Sequence, residues 1–365
     1  VRAGQLGGRR RSSPDRPADA VGVRRRPVGV TGASWRMFAG SLASAATEAM
    51  PEARAGGNEY AGGPDSGNEY AGGPEPGNEL APQRSTWQRA LAILKRDWLA
   101  VFGIFFVLLL LLVAVFAPQL APYPTMGEGR SSVSTRMQPP SAEFVMGTDR
   151  LGRDVLSRLI YGARPALIAP LIVVLLAVLI GAPLGAIAGL AGGWVDEVIM
   201  RVCDLFLAFP SLLLAMAIVA LQGPSLVNAV IALAVSWWPW YTRLVRGVAH
   251  SLSRQAFVEA ARALGTREPK IMFRHILPNS VTPILVQASL DMGTVILATT
   301  GLAFIGLGSQ PPAADWGLMI EDGRALLRNA WWTSTFPGIA IFLSVLSFNL
   351  VGDALRDLFD PKEYR

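Results

Sequence analysis

Uncharged apolar stretches alternate with polar segments from about residue 86 to the end of the chain. Residues 98–116 carry no charge and are long enough, at about 1.5 Å per residue, to cross a hydrocarbon core of roughly 30 Å. The uncharged stretch between Asp204 and Arg243 is too long for one crossing, and residues 222–225 supply a turn that divides it. The pattern predicts an all-α integral membrane protein. Its six predicted transmembrane helices are 98–116, 166–190, 205–221, 226–241, 281–305 and 336–352.

Six spans place both chain termini on the same side of a membrane. Near the span ends, fifteen basic residues lie on the side of the termini and eight lie on the other side. Cytoplasmic loops of membrane proteins carry an excess of Lys and Arg. We therefore expect both termini, and the loop at 243–280, to be cytoplasmic.

The composition agrees with a membrane protein. Hydrophobic residues make up 51% of the chain and charged residues 16%, against about a quarter charged in soluble domains, which excludes an ordinary soluble enzyme. The net charge of +6 is shared between the N-terminal region and the apolar remainder, so no surface resembles a nucleic-acid footprint. One cysteine and two histidines cannot form a disulfide framework or a zinc site, so no metal and no nucleic-acid partner is expected.

Residues 1–85 differ from the rest of the chain. They are rich in Gly, Pro, Ala, Ser and Arg, lack apolar periodicity, and contain the near-repeat GNEYAGGPDS and GNEYAGGPEP. Such a segment buries too little apolar surface to offset its ordering entropy. We expect a disordered cytoplasmic tail over 1–85, with no cleavable export signal, followed by a membrane domain over 86–365.

Three glycines recur every four residues on the second predicted span, at Gly181, Gly185 and Gly189. This spacing puts them on one face of a helix, where another helix backbone can approach closely. The stripe predicts helix packing.

Asp291 interrupts the fifth predicted span. A carboxylate near mid-span costs about 2.5 to 3.5 kcal/mol on the insertion scale, so it should face protein or a water-filled cavity. Two roles remain open: a position on a translocation path, or a structural hydrogen-bonded group.

The segment DRLGRDVLSRLIYGAR before the second span has a helical apolar stripe. Leu151, Val155 and Leu159 share one face, while Arg153 and Ser157 lie elsewhere on the helix. This pattern predicts an amphipathic helix lying on the outer membrane surface.

The loop over residues 254–279 combines helix formers with helix stop signals. A helix is predicted over 257–264 and ended by Gly265, and a second short helix is predicted to be capped by Thr266 and ended by Pro278. The small residues Ala260 and Ala261 suit a helix seated in a groove of another protein. A simple amphipathic loop is the alternative.

The same loop is similar to the EAA loop of bacterial ABC importer permeases. The matching residues are Glu259, Ala260, Ala261, Gly265, Leu277 and Pro278. Three further segments, FVMGTDRLGRDVLSRLIYGAR, GLAFIGLGSQPPAADWGLMI and NLVGDALRDLFDPK, resemble the second (C-type) permease subunit of dipeptide, oligopeptide and nickel importers. The resemblance runs from about residue 87 to the C-terminus and implies the type I ABC importer permease architecture.

The resemblance also implies the partners. They are a second homologous permease chain forming a heterodimer, one or two ATP-binding subunits that hold ATP and Mg²⁺, an extracellular or lipid-anchored solute-binding protein, and the lipid of a bacterial cytoplasmic membrane. The EAA loop would dock on an ATPase subunit and couple ATP hydrolysis to alternating access. This chain has no GxxxxGK[ST] motif, so it is expected to hold no cofactor and to hydrolyse no ATP itself.

The function expected from the resemblance is translocation of dipeptides or oligopeptides. Nickel or another small solute is an alternative cargo, because the permease motifs are shared. A proton- or cation-coupled secondary transporter that uses Asp291 is an alternative from another class.

Overall fold

The computed structural model describes residues 95–359, so the predicted tail over 1–85, with its repeat, lies outside the described residues. Within 95–359 the chain forms helices and no strand, apart from one isolated bridge between Thr148 and Asp154. The helices are α1 Trp98–Val115, α2 Ala117–Leu120, α3 Pro124–Gly127, α4 Val155–Ala191, α5 Gly193–Leu207, α6 Ser211–Gln222, α7 Leu226–Ser253, α8 Ala256–Ala263, α9 Glu268–Ile271, α10 Leu277–Phe304, α11 Trp316–Arg324 and α12 Trp332–Phe359. A 3-10 turn covers Val133–Thr135, and a π-helical turn covers Met272–Ile276.

Four helical stretches are long and apolar enough to cross a membrane: α1, α4, the run Glu268–Phe304 that ends in α10, and α12. The pair α5 and α6 meets the same criterion jointly and would make a fifth span. Helix α7 holds the predicted span 226–241 and has 28 residues, about 42 Å of helix, but its WWPWY sequence makes it less apolar. The count of six spans stays a prediction.

The predicted span 205–221 is not one helix, which corrects the sequence-based boundary. Helix α5 ends at Leu207, α6 begins at Ser211, and their axes differ by 80°. Pro210 lies in the break: it has no N–H to donate, and its ring keeps Phe209 out of the helical region. The turn predicted at 222–225 does lie between helices, since α6 ends at Gln222 and α7 begins at Leu226.

The predicted surface helix before the second span is wrong, because α4 runs without a break from Val155 to Ala191. Asp154 caps its first turn by accepting a hydrogen bond from the Ser157 N–H at 2.8 Å. Arg153, Ser157 and Arg158 are buried rather than exposed to solvent. Their polar groups bond to parts of the chain distant in sequence, so this end of α4 packs against protein on its polar side as well.

The glycine stripe of α4 lies directly against α7. A Cβ atom at Gly181 would be 2.5 Å from the Trp238 carbonyl oxygen, and one at Gly189 would be 2.6 Å from the Ala249 Cβ. At Gly185 the nearest atom is the Thr242 carbonyl oxygen. The contacts advance along both helices in the same direction, so α4 and α7 run parallel with their backbones almost touching.

A Gly185→Leu substitution is expected to prevent this close approach. Overfilled cores lose about 1 to 3 kcal/mol, and here the neighbouring atoms belong to the backbone and cannot swing aside. Membrane abundance and the thermal midpoint in mild detergent should both fall. Gly247→Ala is the control, because nothing lies within 4 Å of a Cβ at that helical position; equal loss in both variants would contradict the packing role.

Candidate functional site

We refer to residues 254–279 as the EAA segment. Its first helix, α8, is anchored by Val258, whose side chain is fully buried. Val258 belongs to a cluster with Val245 and Ala249 of α7 and with Ile271 and Ile276 from the second half of the segment. The EAA segment is therefore a folded extension of the α7 and α10 ends.

The opposite face of α8 is exposed. Glu259 and Ala260 are exposed, whereas Ala261 is half-buried against the apolar cluster. Phe257 and Leu264, at the two ends of α8, expose 43% and 86% of their surface. A carboxylate and a small side chain flanked by two exposed apolar side chains make a face that suits a groove in another protein.

Gly265 ends α8 as the sequence pattern indicates. Its φ is +77°, a value that glycine adopts without steric cost. The Gly265 N–H donates to the Arg262 carbonyl oxygen at 2.9 Å, and the Thr266 N–H donates to that of Ala261 at 3.0 Å. This is a Schellman motif. Because Thr266 belongs to it, the second helix starts later, after Arg267, and the prediction that Thr266 caps it is wrong.

An ion pair joins the two halves of the EAA segment. Arg262 Nε donates to Glu268 Oε1 at 2.8 Å, and Arg262 Nη1 donates to the Ser253 carbonyl oxygen at 3.2 Å. The hydrogen bond to Glu268 raises the pKa of Arg262 above its usual value. These bonds bridge α8 and α9, and the sequence analysis did not single out either residue.

Pro278 does not end the second helix, which corrects that prediction. The helix passes through the π-turn, where the Leu277 N–H donates to the Met272 carbonyl oxygen five residues earlier, and continues as α10. Pro278 then falls in the first turn of α10, directly after the π-turn. Leu277 is half-buried against the apolar cluster, and Pro278 is exposed.

Asp291 lies inside the bundle, on the side of α10 that faces α7. The residue is 9% exposed, and Gln287 Nε2 donates to its Oδ1 atom at 3.1 Å. The Tyr241 hydroxyl group of α7 is a second neighbour of this carboxyl group. The structure thus places Asp291 at a junction between helices of this chain, about 20 Å along α10 from its first residue.

A network of buried charges organises the opposite end of the bundle and was missed by sequence reasoning. Arg153 Nε contacts Asp149 Oδ2 at 2.6 Å and its Nη2 contacts Asp322 Oδ2 at 3.2 Å. Arg158 donates to the carbonyl oxygens of Pro312 and Ala313. The i,i+4 spacing of Asp149 and Arg153 was a local signal, whereas Asp322 lies 169 residues from Arg153 and no local pattern indicates it.

Residues 181–363 match the family model described as the binding-protein-dependent transport system inner membrane component. This match includes the glycine stripe, the EAA segment and Asp291. The chain belongs to this permease family. Residues 85–140 match a second model, the N-terminal TM domain of oligopeptide transport permease C. The protein is therefore an integral inner-membrane transport permease.

Curated relatives cover most of the permease. The dipeptide transport system permease protein DppC of Alkalihalophilus pseudofirmus is 45% identical over 76% of this chain and 90% of its own length. The di/tripeptide transport permease DppC of Pseudomonas aeruginosa is 44% identical over 72% of this chain and 88% of its own length. The glutathione transport permease GsiD of Pectobacterium atrosepticum is 43% identical over 77% of this chain and 91% of its own length.

Among solved structures, a chain of the inward-facing MetNI methionine ABC transporter aligns with 56% of this chain and 97% of its own length, at 17% identity and a TM-score of 0.47. Neither alternative function, import of nickel or ion-coupled secondary transport, gains support from any of these matches.

Proposed function

We propose that this permease is one membrane subunit of a bacterial ABC importer that moves dipeptides or oligopeptides across the cytoplasmic membrane by alternating access. The observation that carries the proposal is the exposed face of α8, which the buried Val258 anchors at the joined ends of α7 and α10. The names of relatives that are 41–45% identical support a peptide cargo.

The partners follow from the same proposal. A second homologous permease completes the membrane unit, a solute-binding protein delivers the cargo, and one or two ATPase subunits bind ATP and Mg²⁺. Both termini and the EAA segment face the cytoplasm. The absence of a GxxxxGK[ST] motif from the whole sequence supports an external motor.

In this mechanism α8 docks in a groove of an ATPase subunit through Glu259, Ala260 and Ala261. Gly265 and the Arg262–Glu268 pair keep α8 at a fixed angle, and Leu277 with Pro278 joins the segment to α10. Movement of the ATPases then displaces α7 and α10 together, because the buried cluster around Val258 links both helices to α8.

Uptake measurements test the cargo. The permease is expressed together with its proposed permease, ATPase and solute-binding partners in a peptide-auxotrophic bacterial host, and uptake of a labelled dipeptide and of ⁶³Ni²⁺ is measured. Dipeptide uptake that stops when the ATPase genes are deleted supports the proposal. Uptake of nickel alone, or dipeptide uptake that persists without the ATPases, would overturn it.

A further inference from the structure

A crevice opens between the end of α4 and the second half of the EAA segment. Its volume is about 290 Å³, close to the lower bound of small-molecule pockets, about 300 Å³. The residues that line it are apolar apart from one carboxylate: Ile187, Leu190, Ala191, Glu268, Pro269 and Met272. The charge of Glu268 is balanced by its ion pair with Arg262. The crevice is therefore an apolar compartment without net charge in its walls.

The crevice lies where α4 reaches the end of its predicted membrane span. The α4 side of the crevice is formed by the last five residues of that helix, 187–191. Three residues after Ala191, the side chain of Trp194 is largely exposed, and tryptophan is enriched at the level of the lipid headgroups. Because the EAA segment is proposed to face the cytoplasm, the crevice opens at the cytoplasmic leaflet, and this placement rests on the proposed function.

An exposed apolar stripe of α4 leads to the crevice. Leu171, Leu175 and Leu179 follow one another at every fourth position, and each exposes more than half of its surface. The same spacing continues through Pro183 to Ile187, which is also exposed and lines the crevice. Residues four positions apart lie one above the other on a helix. A hydrocarbon chain that lies along α4 can therefore enter the crevice from the membrane interior.

Three basic residues of the EAA segment lie within two positions of residues that line the crevice: Arg267, Lys270 and Arg274. All three are exposed, and none has an ion-pair partner within residues 95–359. Phe273, beside Arg274, is exposed as well. Exposed basic and apolar side chains together are typical of segments in a membrane interface. Basic pockets between helices on the cytoplasmic side bind the headgroups of anionic lipids.

We propose that the crevice binds one anionic phospholipid of the cytoplasmic leaflet. An acyl chain lies between the last turn of α4 and Met272, and the phosphate group lies beside Arg267, Lys270 and Arg274. The bound lipid stabilises the contact between α4 and the EAA segment. None of the described α8 residues, 256–263, lines the crevice, so the lipid leaves the exposed face of α8 free for an ATPase subunit.

Photo-crosslinking tests this site on the full-length chain, extracted in mild detergent with the partners that it retains. The probe is phosphatidylglycerol with a diazirine near the glycerol end of one acyl chain, and crosslinked peptides are identified by mass spectrometry. Crosslinks should concentrate on residues 187–191 and 268–272. Unlabelled phosphatidylglycerol should displace the probe about 100-fold more effectively than unlabelled phosphatidylcholine, a factor of about five for each of the three charges. Equal displacement by both lipids, or no crosslink to either segment, would overturn the proposal.

Two variants separate the charged part of the site from its apolar part. The triple variant Arg267→Gln, Lys270→Gln and Arg274→Gln should lower the affinity for phosphatidylglycerol about 100-fold. Ala191→Trp places a bulky side chain in the crevice and should remove the crosslinks to 268–272. Arg356→Gln is the control, because Arg356 is also exposed but lies near the end of α12 and does not line the crevice. Equal affinity in the triple variant and the control, or unchanged crosslinks in Ala191→Trp, would contradict the lipid site.

These measurements use neither cargo nor ATP, so they separate the lipid site from the proposed function. Selective lipid binding by a transporter that imports no cargo with ATP would refute the proposed function alone. ATP-dependent uptake by a transporter without lipid selectivity would refute the lipid site alone.

Discussion

Glu259→Arg is expected to reduce ATP-dependent uptake by about 100-fold while the permease stays in the membrane at its normal level. Glu259 is exposed on the outer face of α8 and is not part of the buried cluster that anchors the helix, so reversing its charge leaves the fold intact. At a docking surface, an unpaired or like-charged group costs about 2 to 5 kcal/mol of binding. ATP hydrolysis by the partner subunits should then no longer respond to cargo.

Glu143→Arg provides the matched control for this variant. It makes the same charge reversal at an exposed site, in the loop before α4 and away from the EAA segment. Uptake by the control should stay within about twofold of wild type. Normal uptake by Glu259→Arg, or equal loss in both variants, would remove α8 from the coupling mechanism.

Arg153→Met is expected to produce the largest loss of stability. Arg153 is 2% exposed and is the shared partner of Asp149 and Asp322. Its removal leaves Asp322 with only the half-exposed Arg150 and Asp149 with only a longer contact to Arg158 at 3.8 Å. Breaking a buried ion pair from one side typically costs about 3 to 5 kcal/mol, which corresponds to a fall of roughly 10 °C in the thermal midpoint.

Arg201→Met tests whether burial causes that loss. Arg201 also forms an i,i+4 ion pair, with Glu197, but both side chains are largely exposed. Exposed pairs of this kind contribute about 0.3 to 0.5 kcal/mol, so the midpoint measured in detergent should barely change. Similar shifts for the two variants would show that the network around Arg153 does not hold the loops together.

Features with a local cause could be predicted from the sequence. The end of α8 at Gly265 follows from the freedom of glycine at positive φ, and the glycine stripe of α4 indicated a close helix contact before the partner helix was known. The apolar stretches predicted the positions of the long apolar helices α1, α4, α10 and α12, because a span must match the length of a hydrocarbon core.

Features that depend on distant residues could not be predicted. Arg153 was placed on the polar side of a predicted surface helix because its partner Asp322 is far away in sequence. The bonds from Arg158 to Pro312 and Ala313 had no local signal for the same reason. The path of the chain through Pro278 depended on a π-turn, which changes the register of a helix without a recognised local signal. The neighbour of Asp291 was also hidden, since Tyr241 lies on another helix.

Co-purification tests the central claim most directly. The chain is tagged at its C-terminus and extracted in mild detergent from its native cells, and its stoichiometric partners are identified by mass spectrometry. The account predicts recovery of a second permease with one or two ATPase subunits, and loss of the ATPases from the Glu259→Arg complex. Recovery of the chain alone, or as a homo-oligomer without ATPases, would contradict the account.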